Sequence, residues 1–158
     1  MAGAPVNHDT GAVQLLVELA AATAMVSLTV AAHLAGIAAL LILLRRHRRG
    51  APRRLVQEGV AIVGAAAGLF VLHGVEIWAY AVFYLVVGAA ADFETALYFS
   101  TSSYTTIGYG DVVLRRAWRV AGAIEGANGI ILLGWSTAFF VAIVNRIRWL
   151  EIEVEERA

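Results

Sequence analysis

The chain has 158 residues, of which 60% are hydrophobic and 15% charged, and its mean hydropathy is +0.74. Soluble domains carry about 25% charged residues, so the composition excludes an ordinary soluble or disordered protein and favours a small polytopic membrane protein. The net charge is zero and there is no cysteine. Charge therefore indicates no partner, and disulfides, thiolate metal sites and cysteine nucleophiles are excluded.

The N-terminal part predicts one membrane-spanning helix after a short polar segment. Residues 1–11 are small or polar, without basic residues, and are expected to lie outside the membrane. Residues 12–44 are almost continuously apolar, and about 20 apolar residues suffice to cross a bilayer. Gln14, Glu18 and His33 are the strong polar interruptions.

A basic linker, residues 45–55, follows the first span, and Gly50 and Pro52 within it are expected to break the helix. Basic loops stay in the cytoplasm, so the linker predicts a cytoplasmic position and possible contact with anionic lipid. Nucleic-acid binding is not expected, because no aromatic residues are interleaved. The six arginines are Arg45, Arg46, Arg48, Arg49, Arg53 and Arg54.

Two more spans are expected within residues 56–145, at about 56–87 and 120–144, followed by a short cytoplasmic tail, residues 146–158. Arg146 and Arg148 follow the last span. Three spans and a basic first linker place the N-terminus outside and the C-terminus in the cytoplasm. Arg115, Arg116 and Arg119 in the outer loop oppose this orientation, but the first linker and the tail together contain more arginines. We expect a multi-pass protein of the plasma (inner) membrane.

His73 and Glu76 are a polar pair inside the second span, three residues apart on one helical face. Such a pair is a functional candidate, as a metal or proton site, or a hydrogen-bonded structural pair. Counting along the helices brings Glu76 and Glu125 to similar depths. One polar layer containing both carboxylates is therefore an alternative.

Residues 92–118, between the second and third spans, are too polar and glycine-rich to cross the bilayer. Asp92 is a plausible N-cap and Glu94 suits a first turn, which predicts a helix from Phe93 to about Ser102. Ten helical residues reach about 15 Å, half of a bilayer. This helix is therefore expected to enter the membrane and turn back.

The stretch after this helix reads Thr-Thr-Ile-Gly-Tyr-Gly-Asp over residues 105–111. Its two glycines permit backbone conformations closed to other residues, so successive carbonyls can point to one side. Irregular backbone at membrane depth is tolerated where it is buried in protein or lines an aqueous path. A line of carbonyls with a threonine hydroxyl is suited to a dehydrated cation.

This stretch resembles the selectivity filter of potassium channels, in which carbonyls replace the ion's hydration shell. The resemblance covers residues 92–145 and implies a two-span pore with a re-entrant pore helix and a filter, assembled as a homotetramer. The first span is an addition to that pore, so the expected fold is an all-α membrane protein with three transmembrane helices. It implies a K⁺ filter at residues 106–110, called the filter segment below. The ion-binding residues would be Thr106, Ile107, Gly108 and Tyr109, with Gly110 and Asp111 shaping the outer mouth.

The resemblance also suggests how the filter segment is supported. Some relatives carry a glutamate where this chain has Ser102. Tyr98 lies one turn earlier on the same helical face, so we predict that its hydroxyl, directly or through a water, bonds Asp111. Ser102 is the second candidate.

The third span would be the inner, pore-lining helix of such a channel. Gly129 is closest to the family's hinge position and is a gating-hinge candidate, although close helix packing explains a glycine equally well. Asn128 is expected either in the cavity or bonded to a neighbouring helix. Ser136, Thr137 and Phe140 are further inner-pore candidates, with packing as the alternative.

Together these features predict a passive potassium channel that is not an enzyme and needs no cofactor besides the conducted ion. Two alternatives remain. One is a weakly selective cation channel. The other is an intramembrane metal-dependent enzyme or transporter built on His33, His73 and Glu76. The gating stimulus and the role of the first span do not follow from the sequence.

Overall fold

The computed structural model describes the backbone of residues 8–48 and 55–155 and the side chains of residues 11–46 and 59–145. Its described residues form an all-α chain without strands, with a single 3₁₀ turn at Arg116–Trp118. The four helices are α1 (His8–Arg48), α2 (Leu55–Val86), α3 (Phe93–Tyr104) and α4 (Arg119–Glu155). Residues 1–7 and the linker arginines Arg49, Arg53 and Arg54 lie outside the described residues, and so does the side chain of Arg48.

Three helices are long and apolar enough to cross a membrane, which confirms the three predicted spans. They cover 36 residues of α1, 28 of α2, and 30 that begin in the 3₁₀ turn and continue into α4. The 18-residue windows within them have mean hydropathies of 2.2, 2.0 and 1.9. Many large apolar side chains on them are exposed in the single chain, including Phe70 at 81%. Such surfaces are suited to contact with lipid or with other protein.

The chain divides into two compact units, each described by itself below. The first unit contains Met1–Thr29 and Ile77–Ile130, and the second contains Val30–Glu76 and Ile131–Ala158. Helices α1, α2 and α4 each contribute to both units, whereas α3 belongs entirely to the first.

Helix α3, in the first unit, begins where the sequence predicts. Asp92 is extended and its carboxylate accepts hydrogen bonds from the Thr95 backbone N–H at 2.8 Å and the Thr95 hydroxyl at 3.0 Å. These bonds lower the pKa of Asp92, led by the one from the backbone. The N-cap is thereby confirmed. The helix has 12 residues, about 18 Å, which is too short to cross a bilayer.

Small residues of α4 allow α3 to pack closely in the first unit. Gly122 faces the Phe99 ring, Gly126 faces the Ser103 carbonyl, and Gly129 faces the Tyr104 carbonyl. The spacing of four and three residues puts these glycines on one helical face. Any larger residue there would push α3 away.

Aromatic rings fill the remaining space around α3. Tyr80, Tyr84 and Tyr104 are almost completely buried. The Tyr84 ring meets the Phe99 ring edge to face at 5.5 Å between centroids, a geometry that aromatic pairs favour. The packing therefore fixes α3 from the side of α2 as well as that of α4.

In the second unit, glycines bring α1 and α2 together. Gly36 of α1 lies against Leu72, and Gly68 of α2 lies against Leu40. The glycine of each helix thus receives a leucine of the other, as small residues do at membrane helix interfaces.

Candidate ion-conduction site

The backbone of the filter segment alternates in handedness. Thr106, Gly108 and Gly110 have positive φ values of 61°, 57° and 78°, whereas Ile107 and Tyr109 do not. Thr106 is the non-glycine residue with positive φ within the described residues. In an ordinary strand, successive carbonyls point to opposite sides. Alternation between left- and right-handed conformations instead turns them towards the same side.

Two backbone hydrogen bonds orient this segment against the end of α3. The Gly108 N–H donates to the Ser102 carbonyl at 3.1 Å, and the Thr106 N–H donates to the Ser103 carbonyl at 2.9 Å. The peptides are trans, so the carbonyl joined to each of these N–H groups points the opposite way. The carbonyls of Thr105 and Ile107 are therefore directed away from α3.

The filter segment forms an open face of the single chain. All five of its residues are exposed, with Ile107 at 55% and Tyr109 at 71%. Two large apolar or aromatic side chains beside a row of free carbonyls make a surface that further protein could cover.

Tyr98 and Asp111 form the hydrogen bond that the sequence predicts. The Tyr98 hydroxyl donates to Asp111 Oδ2 at 2.8 Å. This bond, with some burial and the Asp111 charge, raises the pKa of Tyr98, so the phenol remains a donor at neutral pH. Ser102 also touches the filter segment, but through its backbone carbonyl, which accepts from Gly108.

A carboxylate behind α3, Glu125, belongs to the site, where the sequence suggested it only as a possible member of a polar layer. The Tyr84 hydroxyl donates to Glu125 Oε2 at 2.8 Å, and the Ser100 hydroxyl bonds both Glu125 Oε1 and the Ile77 carbonyl. Glu125, Tyr84 and Ser100 are fully buried. Glu125 thus ties the middle of α3 to α2 and α4. In the sequence, this contact is indicated only by a serine within the short helix and a glutamate within a span.

The structure resolves the two alternatives for Asn128 in favour of a neighbouring helix. Its amide donates to the Thr29 hydroxyl at 2.8 Å and to the Tyr80 hydroxyl at 3.2 Å, and it is 4% exposed. The side chain therefore joins α4 to α1 and α2 within the first unit, and its expected place in an inner cavity is not found.

The other inner-helix candidates separate into buried and exposed positions. Ser136 is 5% exposed and bonded to histidines, so it is not on an open face. Thr137 is exposed, with its hydroxyl bonded to the Leu133 carbonyl of its own helix, and Phe140 is half-buried. Thr137 and Phe140 stay inner-pore predictions.

Gly129 has a packing reason for being a glycine. A Cβ at this position would overlap the carbonyl oxygen of Tyr104, the last residue of α3. Helix α4 continues through this position without a break. The bending hypothesis for Gly129 stays a prediction.

Glu18 of α1 makes a second polar contact, for which the sequence predicted no function. Its Oε1 accepts a hydrogen bond from the Ala121 backbone N–H at 2.9 Å, and Glu18 is 3% exposed. Ala121 lies in the first turn of α4, where backbone N–H groups lack partners within the helix. The first span therefore caps the helix that follows the filter segment.

The polar pair of α2 lies in the second unit as part of a larger cluster. Glu76 Oε2 lies 3.2 Å from His73 Nδ1, which confirms their predicted proximity, and Glu76 Oε1 lies 2.8 Å from His33 Nδ1. Ligand atoms of these three residues lie within 4.8 Å of one another. Glu76 and Glu125 belong to different units, and a single layer containing both stays a prediction.

Comparison with known proteins finds a similarity for one part of the chain. No curated protein and no solved structure matches the chain significantly. Residues 70–146 match the model of a protein family described as ion channel. The match takes in the end of α2, all of α3, the filter segment and most of α4. This part of the chain is therefore similar to proteins of that ion-channel family.

Proposed function

We propose that the protein is a passive, potassium-selective channel of the plasma membrane, formed by four copies of this chain. The observation that carries the proposal is the backbone of the filter segment, with alternating handedness and N–H groups of Thr106 and Gly108 bonded to α3. This geometry leaves carbonyl oxygens facing away from the supporting helix. Such oxygens can replace the hydration shell of K⁺.

A single chain supplies one strand of oxygens, which cannot surround an ion. Four strands around an axis would complete each site through the carbonyls of Thr106, Ile107, Gly108 and Tyr109 and the Thr106 hydroxyl. The exposure of Ile107 and Tyr109 supports this assembly, because neighbouring subunits would cover both side chains. Conduction of this kind needs no enzymatic step and no cofactor besides the ion.

Reversal potentials of the purified protein in liposomes, under opposed K⁺ and Na⁺ gradients, test the proposal. The parent should reverse near the K⁺ equilibrium potential. Gly108→Ala and Gly110→Ala should abolish selective conduction, because a Cβ at positive φ costs about 1–2 kcal/mol per residue. Gly59→Ala is the matched control, since Gly59 has ordinary φ and open space around it.

The same measurement separates the alternatives. Reversal between the K⁺ and Na⁺ potentials would favour a weakly selective cation channel. Selective K⁺ current that survives both filter substitutions would reject the filter assignment. A metal-dependent enzyme or transporter would lose activity in His73→Ala and be indifferent to the filter substitutions.

We also propose an external N-terminus and a cytoplasmic C-terminus, because the basic residues of the first linker favour the cytoplasm. A small tag after Ala2 should be accessible to an impermeant reagent on intact spheroplasts. Labelling only after permeabilisation would reverse the topology.

A further inference from the structure

Two histidines and a glutamate converge on one point of the second unit. His33 belongs to α1, whereas His73 and Glu76 lie on one face of α2. Glu76 Oε1 lies 2.8 Å from His33 Nδ1, and Glu76 Oε2 lies 3.2 Å from His73 Nδ1. Each residue offers one ligand atom such that all three atoms lie within 4.8 Å of one another. The fold thus brings two nitrogen donors and a carboxylate to the same place.

The spacing of these groups is close to that around one tetrahedral metal ion. Zn²⁺ binds histidine nitrogens and carboxylate oxygens at about 2.0–2.2 Å, so two of its tetrahedral ligand atoms are about 3.3 Å apart. The distances from Glu76 to the two histidines differ from that value by about 0.5 Å or less. Two imidazoles on such an ion have ring centres about 5 Å apart. The rings of His33 and His73 are 5.3 Å apart.

Ser136 of α4 contacts both imidazoles through their other nitrogens. Its hydroxyl oxygen lies 2.9 Å from His73 Nε2 and 3.4 Å from His33 Nε2. A histidine that binds a metal through one nitrogen hydrogen-bonds through the other, which fixes the orientation of the ring. A hydroxyl oxygen has two lone pairs, so Ser136 can accept from both rings. Its position is therefore suited to hold both histidines for coordination through Nδ1.

The types of ligand atom indicate the class of ion. Imidazole nitrogens with one carboxylate suit zinc and similar transition metals, whereas Ca²⁺ and Mg²⁺ take oxygen ligands. His33 and Glu76 are at most 1% exposed, and a divalent cation would compensate a carboxylate charge at such a buried position. The His73 side chain is 12% exposed, which gives an ion a route from the surface.

We propose that His33, His73 and Glu76 form a zinc-binding site that fastens α1 to α2, with Ser136 as a positioning residue. The ion would be held by one ligand from the first span and two from the second, with a water molecule in the fourth position. His73 and Glu76 have further interactions in the structure. Coordination through one nitrogen and one oxygen does not require those interactions to be absent. The site gives the first span a function that is independent of ion conduction.

Two measurements on the purified, tag-free chain in detergent, first stripped of metal with a chelator, test the site. The first is the zinc content after loading and gel filtration, which should be about one ion per chain. The second is the melting temperature. It should rise by about 5 °C or more when zinc is present at about a hundred times its dissociation constant. Mg²⁺ should give neither result.

Three variants separate coordination from packing. His33→Ala and Glu76→Gln each remove one ligand and should lose both the bound zinc and the zinc-dependent rise in melting temperature. Glu76→Gln keeps the size and hydrogen-bonding capacity of the side chain, so it remains informative if His33→Ala does not fold. Ser136→Ala should still bind one ion at saturation, but about 10–100-fold more weakly. A serine that only packs against α2 would leave the zinc affinity unchanged.

The matched control is the double variant His8→Ala and His47→Ala, which removes the other two histidines of the sequence. It should bind zinc and respond to it as the parent does. Zinc that is lost in this control but retained in Glu76→Gln would assign the binding to His8 or His47 and overturn the proposal. A parent melting temperature that zinc does not change would overturn it as well. Neither readout involves conduction, so failure here leaves the proposed channel function standing.

Discussion

The hydroxyl of Tyr98 donates a hydrogen bond to Asp111 Oδ2 at 2.8 Å, joining the middle of α3 to the residue that follows the filter segment. Thirteen residues separate the two in the chain, and the filter segment lies between them. The bond therefore closes a loop whose other anchors are the N–H groups of Thr106 and Gly108 on the end of α3.

Tyr98→Phe tests whether this bond holds the outer end of the filter segment. Removing the hydroxyl leaves the Asp111 carboxylate without its phenol donor, so the segment should be more mobile. We expect faster loss of current during sustained recording, or poorer discrimination of K⁺ from Na⁺. Ser102→Ala is the comparison, because Ser102 supports Gly108 through its backbone carbonyl and should change less. Equal behaviour of Tyr98→Phe and the parent would show that the bond is dispensable.

Gly129→Ala distinguishes packing from bending. Because a Cβ would overlap the Tyr104 carbonyl, the packing explanation predicts displacement of the end of α3 and a changed ion preference. The bending explanation predicts a lower open probability with the ion preference intact. Single-channel records with K⁺ and Na⁺ measure both quantities.

Gly134→Ala is the control for that comparison, since it makes the same change in the same helix where nothing lies within 4 Å of a Cβ. It should leave ion preference as in the parent. An ion preference altered equally in both variants would argue against the specific contact with Tyr104.

The sequence predicts local features of this fold well and contacts between helices poorly. The three spans follow from hydropathy, the start of α3 from the Asp92 cap, and the Tyr98–Asp111 bond from spacing within one short segment. Each of these features is determined by residues that are close to one another in the sequence. The resemblance of residues 106–110 to a known filter supplied the rest of the site.

The sequence did not identify the partners in polar contacts that join distant helices. Glu18 reaches Ala121 across 103 residues, and Asn128 reaches Thr29 across 99. A polar residue in a span signals that a partner exists, but the periodicity of one helix does not identify the partner. The contacts of the first span could not be predicted from the sequence for this reason.

Glu125→Gln and Glu125→Ala should differ sharply. The Ser100 hydroxyl has one hydrogen and lies between the Glu125 carboxyl and the Ile77 carbonyl. A glutamine can accept from Tyr84 and donate to Ser100, which is then free to donate to Ile77. We expect Glu125→Gln to fold and conduct like the parent.

Glu125→Ala instead leaves the buried Tyr84 hydroxyl without this acceptor and opens a cavity, at a cost of about 1–3 kcal/mol for the unpaired group alone. The measurement is the melting temperature in detergent, together with the K⁺ to Na⁺ permeability ratio. A Glu125→Gln variant as unstable as Glu125→Ala would mean that the negative charge, and not the hydrogen bonding, is required.

Glu18→Ala tests whether the first span stabilises the start of α4. The substitution removes the acceptor of the buried Ala121 N–H, and an unsatisfied buried donor costs about 1–3 kcal/mol. It also removes a negative charge from a helix N-terminus, where negative charge is favourable. We expect a lower melting temperature in detergent and less folded protein after extraction. Glu18→Gln should recover part of the loss, because its amide oxygen can still accept from Ala121 but lacks the charge.

Gln14→Ala is the matched control on the same helix, since Gln14 makes only a long, exposed contact of 3.4 Å to the Ala117 carbonyl in the structure. Its melting temperature should stay close to that of the parent. If Glu18→Ala has the same melting temperature as Gln14→Ala and the parent, the contact with Ala121 contributes nothing to stability. The first span would then have to stabilise α4 through other contacts, of which the Thr29 bond to Asn128 is the next to remove.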